Sequence, residues 1–244
     1  MKYLRHECGH ALNYAYLLYK EPEWESFFGS FSKPYKDNYR TLPFDNRFVR
    51  HSPGWYAQKH PDEDFAETFA VWLAPDSRWR EIYNGTSALP KLQYIDTLMQ
   101  QLGKKLAGVT GGELDRPLDA LDITLGAWCR MRQREGRRKI ALPDVINEDL
   151  RRLFPGTTGK PVTGIFQSKS RQIVRDVHNW TGVNRNLLSS LVHELSKRVE
   201  TLELKIEPDK NTECIVNLTA FVTTLAMNYQ YTGKYVETSL SRWP

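Results

Sequence analysis

The chain has 244 residues, 40% of them hydrophobic and 26% charged, a globular composition with length for one large domain or two modest ones. Its net charge of +5 is mild, and its one basic run, Arg130 to Lys139, lacks the interleaved aromatics of a nucleic-acid surface and reads as a solvated helix end. Three widely spaced cysteines, Cys8, Cys129 and Cys214, exclude a disulfide framework and a zinc ribbon; no apolar run is long enough for a membrane span or a signal segment, so a cytoplasmic protein is expected.

From Met1 to about Tyr19, Leu4, Ala11, Ala15 and Leu18 recur at helical intervals, and Pro22 closes the helix. Residues 22–60 look irregular, broken by Pro22, Pro34, Pro43 and Pro53 and dense in aromatics. Such a stretch is packed by its own side chains or serves a function. Those aromatics read as core filler rather than a ligand cage. Pro61 opens a second helix, with Asp62, Glu63 and Asp64 in its first turn and Phe65, Phe69 and Trp72 on one stripe. A short helix from Ser77 to Tyr83, a longer one from Leu92 to Leu106 and another from Pro117 to about Arg134 follow.

Past Gly136 the character shifts. A short helix over Pro143 to Phe154 and a loop over Pro155 to Gly164 lead into helices at about Lys169 to Trp180, Arg185 to Leu204 and Thr212 to Tyr229. The expectation is a mainly α chain in two parts, residues 1–136 and 137–244. Asp144 to Phe154 with Lys169 to Trp180 could hold a helix-turn-helix, but neither shows a basic recognition face, and no nucleic-acid partner is expected.

The chemistry concentrates in Arg5-His6-Glu7-Cys8-Gly9-His10, a His-Glu-x-x-His motif on the first helix. Four residues is just over one helical turn, so His6 and His10 project from one face, where two neutral imidazoles can share a zinc ion. Glu7 lies beside them, placed to take a proton from a zinc-activated water. A catalytic zinc needs a third protein ligand and one open position. The extended motif would put a His at position 16, where Tyr16 stands. The best remaining donor is Glu63, and Glu67, one turn on, can hydrogen-bond the far nitrogen of a ligating His from outside the coordination shell. The alternative is an ordinary acidic helix start.

His-Glu-Cys-Gly-His followed by Asp62-Glu63-Asp64-Phe65-Ala66-Glu67 resembles the gluzincin group of zinc metallopeptidases, most of all a bacterial family of zinc-binding metallopeptidases of unassigned substrate. About residues 1–105 carry the resemblance. It implies a zincin-like metallopeptidase region over 1–136, followed by a helical domain of unassigned role over 137–244. It also implies Zn2+ on His6, His10 and Glu63, with Glu7 as general base in peptide hydrolysis. In such enzymes a Tyr seven residues before the ligand Glu donates to the oxyanion, and Tyr56 stands there. Tyr56 has a packing role as its alternative; His51 and His60 are further candidates for oxyanion donor or substitute ligand, each read more readily as a surface or loop His. Zincins carry a twisted sheet before the motif helix, and only Met1 to Arg5 precede His6, so most of that sheet is expected to be missing.

Two functional readings therefore stand. The first is a zinc metallopeptidase acting on a peptide or protein, with no membrane association. The second is a truncated or degenerate relative that binds a protein partner through its C-terminal helices without catalysis.

Overall fold

The structure, a computed structural model of the chain, describes residues 1–35, 39–103, 105–111, 122–128 and 140–236. Among them the fold is mainly α-helical, with one small two-stranded antiparallel sheet. It divides into two compact units, Met1–Leu121 and Asp122–Pro244. The boundary expected near residue 136, the basic run and most of the helix expected over Pro117 to Arg134 lie outside the described residues. No helix among the described residues is long and apolar enough to cross a membrane.

In the N-terminal unit, α1 (Lys2–Ala15) stops four residues before the expected Tyr19. The cause is local: Leu17 takes a left-handed conformation, φ 55°, which an α-helix cannot continue through. The stretch expected to be irregular contains a helix, α2 (Pro22–Phe28). Pro22 sits in its first turn, where a missing N–H costs nothing, and Glu23 and Glu25 favour the positive end of the helix dipole. Trp24 and Phe28, one turn apart, are thereby buried against Phe65, with ring centroids at 6.0 and 5.3 Å.

α3 (Pro61–Trp72) begins at Pro61, where the pattern placed it. Its burial differs from an ordinary surface helix: every residue from Pro61 to Val71 is buried, carboxylates included. Phe65 and Phe69 join Leu18, Trp24, Phe28, Tyr94, Ile95 and Leu102 in one core. α4 (Trp79–Ile82) and α5 (Leu89–Leu102) follow. Asp96 of α5 ties them to α3 by accepting from Trp72 Nε1 at 2.9 Å and from Arg80 at 2.7 Å.

The loop between α2 and α3 is held by specific bonds rather than by a layer of its own. Tyr39 donates to the Gly54 carbonyl at 3.0 Å, and the Gln58 side chain bonds both backbone groups of Leu42 at 2.8 Å. A short 3-10 turn, Tyr56–Gln58, precedes α3. Phe31 stacks on Tyr19 as filler, but Tyr35, expected to be filler too, is half exposed and reaches a carboxylate of α3.

The C-terminal unit is a helical cluster of α6 (Ile146–Leu153), α7 (Thr163–Thr181), α8 (Arg185–Thr201) and α9 (Asn211–Thr232). Ile146, Leu150, Phe154, Ile173, Leu188, Leu191, Leu195, Leu218 and Val222 fill its core. The sheet lies here: β1 (Lys160–Pro161) pairs with β2 (Lys205–Ile206), Lys160 opposite Ile206. Arg198 of α8 fastens the first turn of α6 and the segment before it by donating to Leu142 O at 2.6 Å, Asp144 at 2.8 Å and Asn147 at 3.0 Å. Between α6 and α7 run residues 154–162 with strand β1, a longer connection than the tight turn of a helix-turn-helix.

Candidate metal centre

The centre is made where α1 lies against α3. Gly9, between the two His of the motif, faces the backbone of α3: a Cβ there would stand 2.8 Å from Ala66 Cα. Without that side chain, α1 can approach closely enough for short side chains of both helices to meet. His60 starts α3 in register by accepting from Asp62 N at 3.1 Å, and its Nε2–H donates to Lys33 O at 2.7 Å. With both nitrogens engaged in backbone hydrogen bonds, His60 is a buried helix cap and not a substitute ligand. His51, also buried, donates from Nε2 to Lys2 O at 3.1 Å and braces the start of α1.

The structure brings His6, His10 and Glu63 together. His6 Nε2 and His10 Nε2 are 3.1 Å apart, and Glu63 Oε2 lies 3.1 Å from the first and 3.3 Å from the second. Donors around a tetrahedral zinc with bonds of about 2.0 Å are separated by about 3.3 Å, so this triangle has the size that one such ion requires. This cluster can coordinate a metal ion.

The far nitrogens make the donor set sharper. His6 Nδ1 is 2.8 Å from Glu67 Oε1, and His10 Nδ1 is 3.1 Å from Asp62 Oδ2, the second contact lying off the ideal hydrogen-bond direction. With Nδ1–H of each ring turned to a carboxylate, both Nε2 lone pairs and one Glu63 oxygen point into one space. Three acceptors that close repel one another unless a cation or protons lie between them. The hydrogen-bond partners of the two rings accordingly favour their protonated forms. Burial lowers the affinity of His6 for a proton, yet its hydrogen bonds to Glu63 and Glu67 outweigh this and raise its pKa to about 9. Burial likewise opposes the charge on His10, while Asp62 and Glu63 lift it to about 10. Burial would raise Glu63, but hydrogen bonds from His10, His6, Tyr35 and Tyr56 hold it well below the usual carboxylate range.

Buried charges are tolerated only when paired, and each carboxylate of α3 has its partner. Asp62 accepts from Asn13 at 2.8 Å and from Tyr14 at 2.5 Å. Asp64 takes Lys91 Nζ at 2.5 Å. Glu67, wholly buried, accepts from Ser52 N at 2.5 Å and from Ser52 Oγ at 2.6 Å in addition to its contact with His6. Burial outweighs Lys91 at Asp64 and pushes that carboxyl up to about 7.

Of the other residues singled out, Glu7 is exposed, one residue after His6 on α1. Tyr56 borders the cluster: its ring lies 5.8 Å from that of His6, and its hydroxyl is 3.4 Å from Lys59 Nζ. Burial, followed by the negative charge of Glu63 and a hydrogen bond to it, pushes the Tyr56 phenol up. Asp62, Tyr35 and Ser52 were not anticipated. A signal existed for the surroundings of Asp62, because Asn13 and Tyr14 continue the stripe of His6 and His10 at intervals of three and four. None existed for Tyr35 or Ser52, which reach α3 from a loop.

No family model, curated protein or solved structure matches the chain.

Proposed function

We propose that the chain is a zinc-dependent metallopeptidase of the gluzincin type, with His6, His10 and Glu63 as ligands, Glu67 and Asp62 bracing the two imidazoles, and Glu7 as general base. One observation carries this reading: three donor atoms from two helices converge at mutual distances of 3.1, 3.1 and 3.3 Å, with each imidazole backed by a carboxylate. A zinc ion held by them supplies Lewis acidity that polarises a peptide carbonyl and makes water nucleophilic near neutral pH.

The chain's own residues do the rest. Glu7 takes one proton from the attacking water and delivers it to the departing amine nitrogen as the C–N bond breaks, so its carboxylate is regenerated. The Tyr56 hydroxyl donates to the carbonyl oxygen as charge builds on it, a contribution often worth about 3 kcal/mol. The substrate is a peptide or protein. The proposed division is a metallopeptidase region over residues 1–136 and a helical domain over 137–244 that meets a protein partner. The proposed location is the cytoplasm.

The test is zinc content of the purified protein by elemental mass spectrometry, with Glu63→Ala and Glu7→Gln beside it. The expected result is about one zinc per chain, lost in Glu63→Ala, and peptide hydrolysis that disappears in Glu7→Gln while the zinc stays. A folded wild-type chain that takes up no zinc would sink the proposal. Zinc without Glu7-dependent hydrolysis would favour the non-catalytic binding module.

A further inference from the structure

The two oxygens of Glu63 have different surroundings. Oε2 faces the two imidazoles, at 3.1 Å from His6 Nε2 and 3.3 Å from His10 Nε2. Oε1 accepts a hydrogen bond from the Tyr35 hydroxyl. That phenol is held on several sides. Its ring stacks on His60 with centroids 4.3 Å apart, and the Lys59 ammonium lies 4.8 Å from its centroid. His60 in turn binds Lys33 O on one nitrogen and caps α3 with the other. The helix start that delivers Glu63 therefore also anchors the loop that delivers Tyr35.

A carboxylate can ligate a metal through one oxygen or through both. In a site of three protein ligands the difference matters, because the second oxygen would fill the position that water and substrate need. We propose that Tyr35 is a positioning residue that keeps Glu63 ligating through Oε2 alone by engaging Oε1, and so keeps one coordination position open. This rests on the metallopeptidase reading of the same centre. Tyr39, on the same loop, sends its hydroxyl to Gly54 O instead and serves as a matched control.

The experiment loads wild type, Tyr35→Phe and Tyr39→Phe with cobalt(II) in place of zinc and records visible absorption, whose intensity falls as coordination rises from four to five. Zinc affinity by competition with a chelator dye and far-UV circular dichroism are recorded alongside. The expected result is weaker cobalt bands in Tyr35→Phe, a loss of zinc affinity of roughly 10-fold or more, and no change in Tyr39→Phe. A Tyr35→Phe spectrum and affinity identical to wild type would overturn the inference alone, leaving the metal centre standing. So would complete loss of cobalt uptake with helical content intact, since the hydroxyl would then be needed for ligation as such. A wild-type chain that takes up neither metal would overturn this inference and the metallopeptidase reading together.

Discussion

Gly9 of α1 and Ala66 of α3 meet backbone to backbone: a Cβ on Gly9 would fall 2.8 Å from Ala66 Cα and 3.2 Å from Ala66 O, with nothing flexible to give way. The metal centre depends on this contact, because His6 and His10 flank Gly9 while Glu63 and Glu67 flank Ala66 on the opposing helix. Changes at Gly9 therefore act on the centre without touching a ligand.

Gly9→Ala separates helix propensity from packing. Alanine improves an isolated helix by about 1 kcal/mol over glycine, so propensity alone predicts a gain. The clash with Ala66 predicts the opposite, with overpacking costs of about 1–3 kcal/mol. The expected outcome is a net loss of stability in urea unfolding of the metal-free protein. Zinc affinity should also drop, because α1 must move away from α3. A more stable variant with unchanged zinc affinity would show that the two helices do not meet as closely as this.

Ser52 tests the support of His6 from the loop side. Its backbone N–H and hydroxyl both donate to Glu67, and these bonds and His6 outweigh burial to hold the Glu67 carboxyl low. Ser52→Ala removes the hydroxyl and leaves the backbone donor. Zinc affinity is expected to fall by roughly 10-fold, the lower range for loss of a partner behind a ligand, with the fold retained. Titration with a competing chelator measures it, and an unchanged affinity would assign Ser52 to loop packing alone.

How much of this was legible in the sequence follows the range of each interaction. His6 and His10 are related by one helical turn, as are Glu63 and Glu67, and local periodicity makes both pairs readable. Pro61 with three carboxylates after it marks the start of α3 just as clearly. α2 was missed because Pro22 reads as a breaker when it is in fact a first-turn residue. Burial of α3 from Pro61 to Val71 was also hidden. An acidic first turn usually faces water, and only distant partners such as Asn13, Tyr14 and Lys91 make it tolerable inside. Tyr35 and Ser52 lie 28 and 15 residues from the carboxylates they bind, in a loop whose path no repeating pattern encodes.

Asp64 and Lys91 form a buried pair with Oδ2 and Nζ 2.5 Å apart, and each is nearly inaccessible. Lys91→Met strands the carboxylate, at a cost of about 3–5 kcal/mol when one partner of a buried pair is removed. The cost depends on pH. Burial already raises the folded-state pKa of Asp64 above its ordinary value of 3.8, to about 7. Without Lys91 it rises further, so the folded variant binds a proton that the unfolded chain releases above pH 3.8. Stability is then lost as pH climbs from that value toward the raised one. Urea unfolding should show a larger penalty near pH 8 than near pH 5. Asp64→Asn combined with Lys91→Met should recover most of it; equal penalties at both pH values would mean that Asp64 stays charged regardless.

His178 gives the C-terminal unit a pH dependence of the opposite sign. Burial depresses its pKa below 6.5, and the nearby Arg185 adds to this; the hydrogen bond from Nδ1–H to Val183 O, 2.9 Å long, opposes the shift without cancelling it. The folded unit therefore prefers the neutral ring. Above 6.5 the ring is neutral in the folded and unfolded states alike, and His178 leaves stability unaffected. As pH falls below 6.5 the unfolded chain takes up the proton first, so stability declines until the folded-state pKa is passed. The connection that His178 holds, from Thr181 through Gly182 to Asn184, joins α7 to α8. The ring proton resonances of His178, followed by NMR, should titrate below 6.5 in the folded protein. His178→Asn keeps a donor for Val183 O without a titrating ring, and it should flatten the stability profile between pH 6.5 and that lower value. A His178 titration at or above 6.5 would show that the ring is better solvated than its burial implies.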